Sequence, residues 1–225
     1  YLMPLLNSNF EDWRLANPTA PMGDFQFTTK KMGNSGSLFD IDKLKDVSKN
    51  TISVMSAAQV YDEVTAWAKD FAPQLYTLLT ADQQKAKAIF AIGRGGAKPR
   101  KDIAIWSEVK DYVAFFYEEL FTAASEYPEN VSTQDALDIL TQYRSLYSPA
   151  DDGETWFNKV RELGESLGFA AKPKDYKKNP DQYKGHVGDV SQVIRLAITG
   201  RTTSPDLCSV MQILGEEVLH RQSNC

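Results

Sequence analysis

Apolar residues recur along most of this chain at spacings of three and four, the period that places them on one face of an α-helix. Leu2, Leu5, Leu6, Phe10, Trp13 and Leu15 trace such a face as far as Asn17-Pro18, and Ile41, Leu44 and Val47 trace another over residues 40–50. Between them Pro18, Pro21, Gly23, Gly33 and Gly36 interrupt regular structure, although Phe25-Gln26-Phe27-Thr28 alternates as a short strand would. Ser56 reads as an N-cap ahead of a helix through Val60, Val64, Trp67, Ala68 and Phe71. The same spacing predicts helices over 82–92, 103–124 and 133–147, separated by Gly93-Arg94-Gly95-Gly96-Ala97-Lys98-Pro99 and by Tyr127-Pro128-Glu129-Asn130.

The cluster Ser148-Pro149-Ala150-Asp151-Asp152-Gly153 then predicts a boundary between two helical units. Beyond it a helix carries Trp156, Phe157, Val160, Leu163 and Leu167, and Gly168 closes it. A lysine-rich loop over 172–185 follows, then a helix over 187–199 ended by Gly200. Ser204-Pro205 reads as N-cap and first helical residue of a last helix through Leu207, Val210, Met211, Leu214 and Val218. The expected fold class is all-α, and the absence of a fixed-period repeat argues against a solenoid.

Composition narrows the class of protein. With 42% hydrophobic and 24% charged residues among 225, the chain can bury a core of ordinary size. Cys208 and Cys225 supply neither a disulfide framework nor a paired-cysteine metal motif, a pattern suited to a reducing cytoplasm. No apolar run is long enough to span a bilayer, and the start, Tyr1-Leu2-Met3-Pro4, lacks the features of a signal peptide. The chain opens within a helical pattern without an initiator methionine, which predicts a piece of a longer protein. A soluble, cytoplasmic monomer is expected.

The formal charge of −5 does not favour nucleic-acid binding, but local charge departs from the sum. Arg94, Lys98, Arg100 and Lys101 form one basic run, and Lys172, Lys174, Lys177, Lys178 and Lys184 form another. Each reads either as a solvated loop or as a phosphate contact.

Searches for catalytic chemistry find no complete constellation. His186 and His220 have no histidine or cysteine at metal spacing, so both read as structural or exposed. Asp151-Asp152 and Glu118-Glu119 are chain neighbours, which do not face each other on a helix. The glycine-rich segment 93–99 follows a helix instead of a strand and lacks a hydroxyl after its lysine, so it is not a phosphate-binding loop.

Two stretches do resemble one family. Ser35-Gly36-Ser37-Leu38-Phe39-Asp40-Ile41-Asp42-Lys43-Leu44 resembles the end of the stem-contact region of bacterial glutamyl-tRNA synthetases. Arg195-Leu196-Ala197-Ile198-Thr199-Gly200-Arg201, with Ser204-Pro205-Asp206-Leu207 and Ile213-Leu214-Gly215-Glu216-Glu217, resembles their carboxy terminus. Residues 100–117 resemble an arginine-initiated, aromatic-ended helix of the family. The chain departs from the pattern at Glu216, where the family commonly carries lysine. No His-Ile-Gly-His signature is present, and Lys31-Met32-Gly33-Asn34-Ser35 lacks the second lysine of the Lys-Met-Ser-Lys-Ser signature.

The resemblance implies a helical anticodon-binding cage made of two subdomains, 51–150 and 151–225, after the stem-contact end at 1–50. It implies glutamate tRNA as partner, bound at its anticodon loop, and a parent ligase that uses ATP with magnesium outside this chain. The chain alone would hold no cofactor and catalyse nothing. The implied RNA-binding residues are Arg195, Ser204, Pro205 and Leu207, with Arg201 in the same motif and Arg100 reading the third anticodon base; Lys98 and Lys101 compete with Arg100. On residue character alone, Arg195 reads instead as a helix-surface residue paired with Asp189 or Glu217. A helical protein-interaction module anchored by Trp13, Trp67, Trp106 and Trp156 remains a different reading, and a free-standing hydrolase or transferase a third.

Overall fold

The computed structural model describes residues 8–28, 30, 40–124, 126–215, 217 and 218. Among them every regular element is helical, and the one extended pairing is an isolated bridge between Ala170 and His186. The all-α expectation is met. Phe25–Thr28, which alternates like a strand, is irregular. The Lys31–Ser35 segment, the start of the first family-like stretch, His220 and Cys225 lie outside the described residues.

Contacts divide the chain into two compact units, Tyr1–Met55 with Lys101–Ile105, and Ser56–Arg100 with Trp106–Cys225. In the first, α1 (Phe10–Ala16) buries Phe10 against Phe25, whose ring meets it edge-on at 5.0 Å. α2 (Ile41–Val54) starts at Asp40, whose carboxylate accepts from the backbone N–H groups of Asp42 and Lys43. Lys43 pairs with Glu11 of α1 at 3.3 Å, and the Ser48 hydroxyl donates to the Ala104 carbonyl at 2.6 Å.

The second unit opens with a helical trio. α3 (Ala57–Phe71) begins in a capping box in which Ser56 and Gln59 satisfy each other's backbone N–H groups. α4 (Pro73–Ala81), not anticipated from the spacing, starts with proline at its first position and buries only Leu75 and Leu79. α5 (Gln83–Ala91), capped by Asp82, packs on α3 and buries Ala86, Ile89 and Phe90.

The long helix predicted over 103–124 does not form. Residues 101–105 belong to the first unit; then come a 3₁₀ turn at Trp106–Glu108, the short α6 (Val109–Val113), and a second 3₁₀ turn at Ala114–Phe116. Phe115, Phe116 and Tyr117 are all buried. Three successive residues cannot share the apolar stripe of a 3.6-residue helix, so burying them tightens and then ends it.

α7 (Thr133–Leu146), α8 (Gly153–Ser166) and α10 (Val187–Thr199) form a second trio in mutual contact, and the breakers at 148–153 join two of its members inside this unit. Within the lysine-rich segment, expected as a loop, Pro173 opens a short α9 (Pro173–Lys178). The Ala170–His186 bridge closes the base of that excursion, with Ala170 N–H donating to Gly185 O and Val187 N–H to Ala170 O, both at 2.9 Å. α11 (Leu207–Leu214) packs against both trios through α5 and α8. Its cap is Asp206, whose carboxylate accepts from the Ser209 N–H at 2.8 Å; Ser204 and Pro205, predicted as cap and first helical residue, precede it. A carboxylate one residue ahead of Leu207 outcompetes a hydroxyl further back for the free amides of the first turn.

Candidate nucleic-acid interface

The turn between α10 and α11 is fixed by a chain of hydrogen bonds that begins inside the helix. The hydroxyl of Thr199, 2% exposed, donates to the Arg195 carbonyl at 2.8 Å and accepts from the Arg201 N–H at 3.2 Å. Gly200 then leaves the helix in the left-handed region at φ 67°. A side chain there would overlap the Thr122 carbonyl oxygen, so the position needs glycine both for its φ and for the close approach of a second backbone.

Arg195 and Gln192 lie on one face of α10, three residues apart. The Gln192 Oε1 accepts from Arg195 Nη1 at 3.3 Å, and the Gln192 Nε2 donates to the Thr202 carbonyl at 2.9 Å. Arg195 is half-buried, and its Nε is buried with no hydrogen-bond partner among the described residues. Neither acid proposed to pair with it does so: Asp189 accepts from the His186 N–H at 2.8 Å, and Glu217 lies 3.6 Å from Lys85. Among the described residues the guanidinium thus sits beside a neutral amide and no carboxylate.

The structure brings Arg195, Arg201, Ser204, Pro205 and Leu207 into one turn and its flanks. Arg201 stacks over the Phe115 ring with its guanidinium carbon 5.7 Å from the centroid. The half-buried Ser204 donates its hydroxyl to the Pro205 carbonyl at 2.8 Å. Pro205 and Leu207 are buried and shape the turn from within.

Arg100 belongs to a different element. Its N–H donates to the Gly93 carbonyl at 3.0 Å, closing the 93–100 loop at the end of α5. Arg94 anchors the same loop by donating from Nε to the Phe90 carbonyl at 2.7 Å. Lys98 and Arg100 are exposed in this unit, whereas Lys101 belongs to the first unit. The second basic run is exposed along α9 at Lys172, Lys174, Lys177 and Lys178, while Lys184 pairs with Asp135.

A polar network, buried at Tyr143 and Trp156, holds α11. Trp156 Nε1 donates to the Tyr143 hydroxyl at 2.8 Å, and the Tyr147 hydroxyl lies 3.0 Å from the Met211 carbonyl and 3.1 Å from that of Gly215. Gln212 Nε2 donates to the Asp151 carbonyl at 2.9 Å, and Asp151 pairs with Lys159 at 2.7 Å. Burial pushes the Tyr147 phenol up to about 12. Gln192 and this network were missed by sequence reasoning, because a glutamine and two tyrosines at helical spacing carry no signal of their partners.

The chain is all-α, built of helical trios, with an arginine at one turn that meets no carboxylate among the described residues, and with basic loops elsewhere. Its sequence matches the profile of the family described as anticodon binding domain over residues 59–223, and the chain belongs to that family. It is 46% identical over 217 residues to a glutamate–tRNA ligase of Acetivibrio thermocellus and 45% identical over 222 residues to one of Clostridium beijerinckii. Each alignment covers 96% of this chain and 40% of the relative, so the chain spans about 40% of the length of these ligases. A crystal structure of a glutamate tRNA ligase from Elizabethkingia meningosepticum shares the fold with a TM-score of 0.58 at 18% identity, covering 88% of this chain and 34% of that one. These matches fit the anticodon-binding part of a bacterial glutamyl-tRNA synthetase and favour that reading over an interaction module without RNA binding.

Proposed function

We propose that this chain binds the anticodon loop of glutamate tRNA as the carboxy-terminal part of a glutamate–tRNA ligase. In this reading residues 1–50 end the stem-contact region, and 51–150 and 151–225 form the two parts of the anticodon cage. The ligation of glutamate, with its ATP and magnesium, belongs to the rest of the parent enzyme, which works in the cytoplasm. The observation that carries the reading is Arg195, a guanidinium held at a tight turn with no carboxylate on it among the described residues. An arginine fork donates to acceptors on a base edge or stacks on its face, which is how bases splayed from a single-stranded loop are read.

Arg201, stacked on Phe115, and the Ser204 hydroxyl flank that position. Pro205 and Leu207 hold the backbone that presents it. Arg100, on its separate loop, reads the third anticodon base, and the lysines of α9 add phosphate contacts whose strength falls with salt.

The test is a titration of the chain with the anticodon stem–loop of glutamate tRNA and with an unrelated hairpin of equal length, at fixed and then rising salt. Preferential binding of the first, weakened about ten- to hundredfold by Arg195→Ala, is expected from the loss of one good base contact. Equal binding of both hairpins, unchanged in Arg195→Ala, refutes the assignment. Glutamate-dependent pyrophosphate exchange by this chain alone would also contradict it.

A further inference from the structure

Gln192 makes two side-chain hydrogen bonds whose partners demand opposite chemistry. Arg195 offers only donors, and the Thr202 carbonyl only accepts. The amide meets both with its oxygen toward Nη1 and its nitrogen toward the carbonyl, and turning it over would set donor against donor and oxygen against oxygen. Glutamate could hold the arginine but would set a carboxylate against the carbonyl. Methionine, similar in length, could satisfy neither partner.

We infer that Gln192 is a positioning residue, which fixes the Arg195 guanidinium relative to the turn after Gly200 and so sets how it meets a base. The inference rests on the proposed RNA contact of Arg195. A free arginine side chain has large rotamer freedom to lose on binding, and a fork fixed beforehand loses less of it. Because the fixing group is a neutral amide, the positive charge stays available to a ligand acceptor. Thr199 anchors the same geometry at the backbone, through the Arg195 carbonyl and the Arg201 N–H. Gln192 carries that order out to the side chain and on to Thr202.

The experiment compares the full chain with Gln192→Met, Arg195→Ala and the double variant, titrated with the anticodon stem–loop of glutamate tRNA at one ionic strength. Gln192→Met should weaken binding roughly three- to tenfold through lost preorganisation, with a melting midpoint within about 2 °C of the parent. Added to Arg195→Ala it should change binding by less than about twofold, because a residue that acts through another has no effect once the other is gone. Full-strength binding by Gln192→Met, or an undiminished further loss when it is added to Arg195→Ala, overturns the inference.

The Arg195 Nε–H signal of the free protein supplies a readout independent of RNA. It should be sharp in the parent and in Gln192→Glu, and broadened in Gln192→Met; an unchanged signal in Gln192→Met also overturns the positioning role. Should Arg195→Ala bind like the parent, the RNA assignment of Arg195 fails, and this signal still decides whether Gln192 orders the guanidinium.

Discussion

The two arginine-bearing turns of the larger unit are built in opposite ways. The turn after α10 is anchored to its helix by buried Thr199, pressed against the backbone of Thr122 at Gly200, and tied across by Gln192. The loop after α5 is pinned at its ends, by Arg94 on Phe90 and by Arg100 on Gly93, while Gly95 and Gly96 between them have nothing within 4 Å of where a side chain would stand. A ligand meeting the first finds its partner already in place. One meeting the second must order the loop on binding and offset that entropy from its contacts. In the proposed reading, the tight turn supplies strength of binding and the loop discrimination among similar bases.

The contrast breaks most sharply at Gly200. Gly200→Ala adds an overlap with a second backbone to a left-handed φ, and should cost about 3–5 kcal/mol by chemical denaturation. A loss below about 1 kcal/mol would mean that the turn yields as easily as the loop. Next comes Thr199→Val, which keeps the shape but removes the hydroxyl from the Arg195 carbonyl and the Arg201 N–H; about 1–3 kcal/mol should be lost, with RNA affinity falling alongside. Were affinity unaffected, order at this turn would not matter for binding.

On the loop, Arg100→Gln in the intact parent enzyme should leave stability unchanged and narrow the preference for glutamate over glutamine tRNA by about five- to hundredfold in charging kinetics. Equal losses on both tRNAs would make Arg100 a phosphate contact and pass the discrimination to Lys98 or Lys101. The helical trio that includes α10 has its own pH signature. Lys184 and Ser132 donate to Asp135 and hold its carboxyl below the ordinary value of 3.8. The folded value lies below the unfolded one, so this stabilisation is complete above pH 3.8 and disappears as the pH falls through the folded value. Asp135→Asn should flatten that part of the acid unfolding curve and cost less than about 1 kcal/mol at neutral pH; an identical acid limb in the variant would remove Asp135 from the account. Smallest of all, Gly96→Ala should shift stability by no more than about 0.5 kcal/mol, in either direction. A larger loss would show the loop to be as constrained as the turn.

Much of the fold is local and was legible for that reason. Amphipathic spacing fixed the helices around Val60, Ile139, Val160 and Ile194, and Ser56, Gly168 and Gly200 act at their ends through bonds within a few residues. The carboxy-terminal motif was readable in outline because Arg195, Arg201 and Ser204 are close in the chain and lie in a single turn and its flank.

What tertiary structure alone decided depends on partners far apart in sequence. The predicted helix over 103–124 gives way because Phe115, Phe116 and Tyr117 are all drawn into the core, which no one-sided helix allows. Gly200 is indispensable because of a carbonyl at Thr122, and α11 is held by Tyr143, Tyr147 and Asp151 from before the α8 helix. Arg195 escapes the acids expected to pair with it because Asp189 is engaged by the His186 backbone and Glu217 lies beside Lys85. Sequence spacing determines which face a residue occupies; which group waits opposite that face is set by packing, and that choice gave Arg195 a neutral amide, Gln192, as its partner.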